Sequence, residues 1–327
     1  MAKYFVTGAT GFIGGEIVKQ LVGRGHKVAA LVRSPEKAGI LKALGVEIHP
    51  GDITDHETLK APMTGVDGVF HVAAWYKIGV KSRLAAQINV DGTRNVLQAM
   101  RTLGIARGVY TSTVAVFSDT RGAVPDETYR YDGPHLSEYD RTKWLAHYEV
   151  ALPAMAEGLP LTIVMPGLVY GPGDTGGIQT ALAQLLRGRL PMTPARTAFC
   201  WAHIEDTARA HILAMEKGRP GEAYIITGPR QTFEYAFDLA ASIARVRAPL
   251  FHPGPHAMRG LAVMSSLVGR FFTVPPSFMP EALRVIAGTT YFGSNEKAVR
   301  ELGFAPRPIE EGMAQTLEHV QRLIGRN

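Results

Sequence analysis

The opening stretch constrains this chain most. Residues 1–7, Met-Ala-Lys-Tyr-Phe-Val-Thr, read as a short apolar strand, and Gly8, Gly11 and Gly14 follow at three-residue spacing. Glu16-Ile-Val-Lys-Gln-Leu-Val22 then continues with helical periodicity. A glycine turn alone is a weak signal; between a strand and a helix it acquires a mechanism. Gly8 permits a tight turn, Gly11 lets a pyrophosphate approach the backbone, and Gly14 lets the helix pack against its strand. The helix N-terminus then faces the negative charge. The chain therefore begins as a dinucleotide-binding unit.

The second strand, predicted over 27–33, decides which dinucleotide. Its last residue lies nineteen positions after Gly14, where an Asp or Glu would accept from the ribose 2′-hydroxyl of NAD. This chain has Arg33-Ser34 there, with Lys37 shortly beyond. A guanidinium suits a 2′-phosphate, so NADP(H) is favoured over NAD(H).

Downstream, Tyr139 and Lys143 stand four residues apart behind Ser137, a helix-capping residue. On a helix they share one face. An ammonium there would favour the phenolate and lower the tyrosine pKa from its usual value of about 10. That is the chemistry of a phenol exchanging a proton during hydride transfer.

Strands are predicted near 47–52, 68–74, 108–113 and 161–165, with long helices over 84–103 and 138–156. The alternation through residue 170 predicts an α/β fold, a doubly wound parallel sheet of the Rossmann type. Ligands bind such sheets outside the carboxyl ends of the strands, where Gly8, Arg33, Asp52, Ala73 and Thr113 cluster. Residues 1–170 thus form the nucleotide-binding domain. Residues 171–327 form a smaller, mostly helical substrate-binding part, with helices near 176–188, 205–217, 231–246 and 309–324. A strand and helix near 203–228 are expected to return to the first domain.

With 327 residues, 46% of them hydrophobic, the chain can bury a substantial core. Its single cysteine, Cys200, excludes internal disulfides and suits a reducing, cytoplasmic compartment as a packed apolar residue. The first strand starts at once, leaving no room for a signal peptide. The net charge of +6 is spread without basic blocks, which argues against nucleic acid and fits an anionic cofactor. Residues 260–268 are apolar but too short to span a bilayer, and a substrate-pocket lid or a core helix is favoured there over an amphipathic membrane contact. No metal site is expected.

Together these residues carry a family resemblance along nearly the whole chain. TGATGFIG at 7–14, GDIT at 51–54, HVAA at 71–74, NVDGTRNVL at 89–97, YTST at 110–113 and YDRTK at 139–143 stand in order. PGLVYGPGD at 166–174, HIEDTA at 203–208 and ELGFAPRPIEEG at 301–312 follow. The sequence resembles the extended short-chain dehydrogenases/reductases, and most closely their dihydroflavonol-reductase-like and 3β-hydroxysteroid-dehydrogenase-like branch.

The resemblance implies roles. Thr10, Phe12, Ile13 and Thr111 would join the glycines at the cofactor, Asp52 and Ile53 would contact adenine, and Ala73 and Ala74 would line the path to the nicotinamide ribose. Lys143 would also bind the ribose hydroxyls, while Pro166 and Val169 place the carboxamide. Thr113 matches the hydroxyl that bonds the substrate carbonyl, with Ser112 its nearest competitor. Asn89 matches the asparagine that holds a water in a relay to the lysine, or it is a packing residue that bonds a backbone carbonyl. Nucleotide-sugar epimerases of this kind carry Arg-x-x-Asn before the Tyr-Gly-Pro turn; here Met165-Pro-Gly-Leu168 stands there, and a leucine cannot donate to a diphosphate.

An aromatic and apolar substrate pocket is expected from Trp75, Tyr76, Leu168 and Trp201, with Phe199, Phe271, Phe272 and Phe278. The reading is an NADP(H)-dependent reductase of a largely hydrophobic ketone or aldehyde. Its rivals are a sugar or nucleotide-sugar epimerase/dehydratase and a non-catalytic NADP sensor. A homodimer through the two long helices is expected.

Overall fold

The computed structural model describes residues 1–76, 83–270, 272, 274 and 278–325. Eleven strands are present among them: β1 (Lys3–Thr7), β2 (Lys27–Val32), β3 (Glu47–Pro50), β4 (Gly68–His71), β5 (Gly108–Thr111), β6 (Leu161–Pro166), β7 (Leu168–Tyr170), β8 (Ala198–His203), β9 (Ala223–Ile226), β10 (Arg230–Thr232) and β11 (Thr290–Tyr291). Seven form a sheet in the order β3-β2-β1-β4-β5-β6-β9, every pair parallel.

Both faces of that sheet are covered at its centre, which is why β2, β4, β5 and β6 are nearly continuous buried runs rather than alternating ones, while the edge strand β3 stays partly exposed. Successive side chains still point to opposite faces. Phe5, Val69, Tyr110 and Ile163 enter one core with Leu59, Val96, Met100 and Val150 from helices. Val6, Phe70, Val109 and Val164 enter the other with Ile17, Leu21, Ile212 and Met215. The chain turns outward in opposite directions from β1 and β4, and the gap above their carboxyl ends is where such sheets hold ligands.

After residue 170 the chain alternates between two jobs. β8 gathers a small sheet, antiparallel to β10 and parallel to β7 and β11. Helices Gly177–Leu186, Phe233–Ala244 and Ile309–Ile324 pack against one another. Between these, helix Ile204–Lys217 lies on helix Phe12–Gly23, and β9 extends the large sheet. Arg307 ties the C-terminal segment to this returning helix, donating to Asp206 at 2.9 Å and Glu205 at 2.9 Å. The two acidic residues of HIEDTA thus hold the arginine of ELGFAPRP.

The long helices differ from expectation in one respect. Residues 83–102 form Arg83–Ala86 and Gly92–Thr102 with a π-helical turn over Gln87–Asp91 between them. Residues 138–156 likewise carry a π turn over Ala146–Ala151, just after Lys143. Each is a single turn set in an α-helical run, and its residue types are ones that ordinary helices also hold, so nothing in the sequence marked where the extra residue enters.

Candidate active site

The glycine turn forms as its spacing demands. Gly8 has φ of +72°, and a Cβ there would stand 2.7 Å from the Ala73 backbone nitrogen. A Cβ on Gly14 would overlap the Gly8 carbonyl oxygen. The Gly11 N–H donates to Gly8 O at 2.9 Å and closes the turn. Helix Phe12–Gly23 then starts at Gly11 with no side-chain cap and no acidic residue in its first turn. Its free N–H groups and positive end suit a pyrophosphate, so the residues present fit a dinucleotide.

A hydrogen-bonded chain beneath the turn fixes its neighbour strand. The Thr93 hydroxyl donates to Asn89 O (2.6 Å), so it accepts from His71 Nε2 (3.0 Å). His71 Nδ1 must then accept from Thr7 (2.8 Å), and Thr7 Oγ1 accepts the Val72 and Ala73 N–H groups. This sequence of donors requires a neutral imidazole. It also sets Ala73 beside Gly8.

Above the sheet lies a cleft of about 690 Å³. Gly8, Thr10, Gly11, Phe12, Ile13, Gly14, Arg33, Asp52, Ile53, Ala73 and Ala74 line it toward β1 and β2. Thr111, Ser112, Thr113, Tyr139, Lys143, Pro166 and Val169 line it toward β5 and β6. Ser34 and Lys37, expected beside Arg33 at the cofactor, do not line the cleft; Ser34 precedes the short 3-10 turn Pro35–Lys37.

Tyr139 and Lys143 lie on helix Glu138–Leu145, whose first turn is capped by Ser137 Oγ accepting from the Asp140 N–H at 3.0 Å. Thr113 Oγ1 accepts from the Ala115 N–H at 3.1 Å, which leaves its own hydrogen for the Tyr139 phenol. Ser112, the competitor, is instead paired with His147 Nδ1 at 2.8 Å.

Burial pushes the Tyr139 phenol well above its ordinary range; Tyr76 and Asp140 add to the rise, and the Thr113 bond opposes it. Lys143 does not supply the expected lowering. Its ammonium donates to Thr111 O at 2.7 Å and Tyr110 Oη at 3.1 Å, lies over the Tyr110 ring, and is itself pushed down to about 7 by burial. Tyr139 therefore stands here as a protonated phenol, the form a proton donor needs.

Asn89 is committed to architecture. Its amide accepts from Trp75 N (2.7 Å) and donates to Trp75 O (3.1 Å) and Thr142 Oγ1 (2.9 Å). It thereby joins the π turn, the Trp75 segment and the tyrosine helix.

Trp75, Tyr76, Leu168 and Phe199 line the same cleft with Ile178 and Val285. The Tyr76 ring meets Tyr139 edge-on at 4.8 Å. Trp201 does not reach the cleft, correcting its placement in the pocket. It lies one pleat beyond Phe199 on β8, buried between Tyr170 and Phe233, with its indole N–H donated to Gln231 O. Phe272 and Phe278 are exposed and do not line it either, and Phe271 is outside the described residues. Cys200 is buried, as a packed apolar residue would be.

Sequence reasoning missed two groups. Asp140 and Tyr291 both line the cleft and are bonded to each other at 3.1 Å; burial pushes the Asp140 carboxyl up to about 7, opposed by the Ser137 and Tyr291 hydroxyls. Beneath the floor sit His71, His147 and His211, the last bonded to Thr111 Oγ1 at 2.9 Å. Burial pushes the first two down to about 3 and His211 to about 4.

Those depressed values carry a sign. The unfolded histidines take up protons near their usual 6.5 while the folded ones do not, so stability is intact above that pH and declines as pH falls toward 4. At about pH 5 each contributes a loss on the order of 2 kcal/mol. His147→Gln should flatten the pH dependence of the urea midpoint between neutrality and about pH 5. An unchanged slope would contradict the neutral-histidine account.

With this geometry in place, comparisons identify the lineage. The NAD dependent epimerase/dehydratase family profile matches residues 4–227. The chain belongs to that family. It is 32% identical to a putative dihydroflavonol 4-reductase of Synechocystis over 97% of this chain and 94% of the relative. It is 33% identical to a 2-alkyl-3-oxoalkanoate reductase of Stenotrophomonas maltophilia over 95% and 97%. The crystal structure of gox2253 superposes with a TM-score of 0.86 at 30% identity, covering 99% of both chains. This is the extended short-chain dehydrogenase/reductase branch, nicotinamide-dependent, and its members similar to this chain include reductases and dehydrogenases.

Proposed function

We propose that this family member is an NADP(H)-dependent reductase that converts a largely hydrophobic ketone or aldehyde to an alcohol. The observation that carries this reading is one continuous cleft with Arg33 at the β2 side, Thr113, Tyr139 and Lys143 at the β5 side, and Leu168, Ile178, Phe199 and Val285 beyond them. The first group suits a phosphorylated ribose, the second a carbonyl oxygen, and the third an apolar body. Leu168 offers no donor for a substrate diphosphate, and relatives named as a ketoacid reductase and a dihydroflavonol reductase favour carbonyl reduction.

Bound nicotinamide would supply the hydride. The chain supplies the rest: the Tyr139 phenol would donate to the carbonyl oxygen and pass it a proton, and the Thr113 hydroxyl would turn its hydrogen from the phenol to the same oxygen. Lys143, held by Thr111 O, lies where ribose hydroxyls could replace Tyr110 as its partner. The apolar wall excludes water from the developing alkoxide.

Arg33 tests the cofactor half of this reading. Arg33→Asp should weaken NADPH binding tens-fold or more, because a charge-assisted contact of ~1.5–3 kcal/mol becomes a repulsion. NADH binding should change far less. Tighter binding of NADH than NADPH by the unaltered protein, in a fluorescence titration, would sink the assignment.

A further inference from the structure

Helix Pro255–Val268 has two unlike sides. Met258, Ala262 and Ser265 face inward, and the first two pack with Leu283 and Ala287. Outward, Val263, Met264 and Leu267 are each more than half exposed, followed by exposed Val268 and Phe272. Leu250 and Phe251, just upstream, are also exposed. Isolated apolar surface residues are ordinary, but consecutive helical turns of them mark a contact surface.

Charge says what that contact is. Between Asp238 and Glu281 the sequence has no acidic residue, but it has Arg245, Arg247, Arg259 and Arg270, all exposed. Arg259, Val263 and Leu267 share one helical stripe, and Arg270 follows in the turn that ends the helix, its N–H bonded to Leu267 O, so basic groups bracket the apolar ones. The Glu281 carboxylate is turned inward, accepting from the Glu138 N–H. Aliphatic side chains flanked by arginines, with no carboxylate among them, match an acyl layer beneath anionic headgroups. At fourteen residues the helix is too short to cross a bilayer, and no helix among the described residues is long and apolar enough to do so.

We propose that the outer face of helix Pro255–Val268 docks this protein peripherally on an anionic lipid surface, lying in the interface plane. The consequence for substrate supply rests on the reductase reading. The helix packs on Pro280–Val285, and Val285 lines the cleft, so a docked protein holds its apolar pocket one helix away from lipid. An apolar carbonyl compound would then be taken from the bilayer rather than from water.

The test is sedimentation of the full chain with sucrose-loaded vesicles of phosphatidylcholine, with and without one-third phosphatidylglycerol. Binding is expected only with phosphatidylglycerol and should weaken steeply with added salt. Val263→Glu/Leu267→Glu and Arg259→Glu/Arg270→Glu should each lower the vesicle-bound fraction at least tenfold. Thermal unfolding and NADPH affinity should stay unchanged, since none of these residues lines the cleft. Failure of the unaltered protein to bind, equal binding to both vesicle types, or unimpaired binding by either variant would overturn the proposal. So would a vesicle-indifferent dimer that Leu267→Glu dissociates, because the face would then belong to a second copy. Reduction of a water-soluble carbonyl without vesicles reads the reductase assignment separately.

Discussion

Tyr139→Phe should lower turnover by roughly two to four orders of magnitude, the usual contribution of a positioned general acid. NADPH affinity should barely change, because the contacts proposed for the cofactor, at the glycine turn, Arg33 and Lys143, are untouched. The ring keeps its edge-on contact with Tyr76, so packing is preserved and the missing atom is the hydroxyl alone. The Thr113 hydroxyl loses its partner, but it still caps Ala115 and keeps its place. Near-full activity of the phenylalanine variant on a verified substrate would mean that the proton comes from elsewhere.

Lys143→Met should fail in a different way. On the proposed reading, removing the ammonium takes away the group that would bind the ribose hydroxyls and so position the nicotinamide, so the rate should fall about a hundredfold or more and NADPH affinity should fall with it. Stability should not fall in parallel. Burial pushes Lys143 down to about 7, which means the folded protein holds that charge at a cost, and methionine removes the cost while leaving Thr111 O short of one donor. A melting temperature held or raised alongside lost binding separates this outcome from misfolding. Lost rate with intact NADPH affinity would confine Lys143 to the chemistry.

Why some of this was legible in sequence and some not follows from the physics of each position. The glycine turn could be read because a Cβ at Gly8 or Gly14 meets backbone within a few residues or at the adjacent strand. The tyrosine helix could be read because its cap, its spacing and its partner lie within seven residues. The parallel, doubly wound class of the sheet needed only the alternation of strand and helix, whereas the order of its strands came from the structure. Trp201 and Phe199 looked alike, since a buried aromatic on a strand carries no mark of whether its outer face meets a cleft or another ring; both meet Phe233, but β7 seats Leu168 and Tyr170 against Trp201, whereas Phe199 stacks on Tyr291 at the cleft. The histidines beneath the floor gave no local signal, because the hydroxyls that hold them, Thr7 and Thr93 for His71, Ser112 for His147 and Thr111 for His211, lie 22 or more residues away, and the one near partner, Thr207 O to His211, is an ordinary helix carbonyl. Asp140 was overshadowed by its neighbour: its significance depends on Tyr291, which arrives 151 residues later. The lysine's effect on the phenol was read from spacing alone, and the fold directs that ammonium to Tyr110 and Thr111 instead.

The central claim is net carbonyl reduction, and isotope transfer tests it most directly. The purified protein should be given NADPH deuterated at the transferable position of the nicotinamide, with a panel of hydrophobic ketones and aldehydes and, in parallel, nucleotide sugars. The account predicts an alcohol bearing one deuterium at the former carbonyl carbon, formed in step with NADPH consumption and nearly abolished by Tyr139→Phe. Conversion of a nucleotide sugar to its epimer with no net NADPH consumption, and no deuterated alcohol from any carbonyl compound, would contradict it.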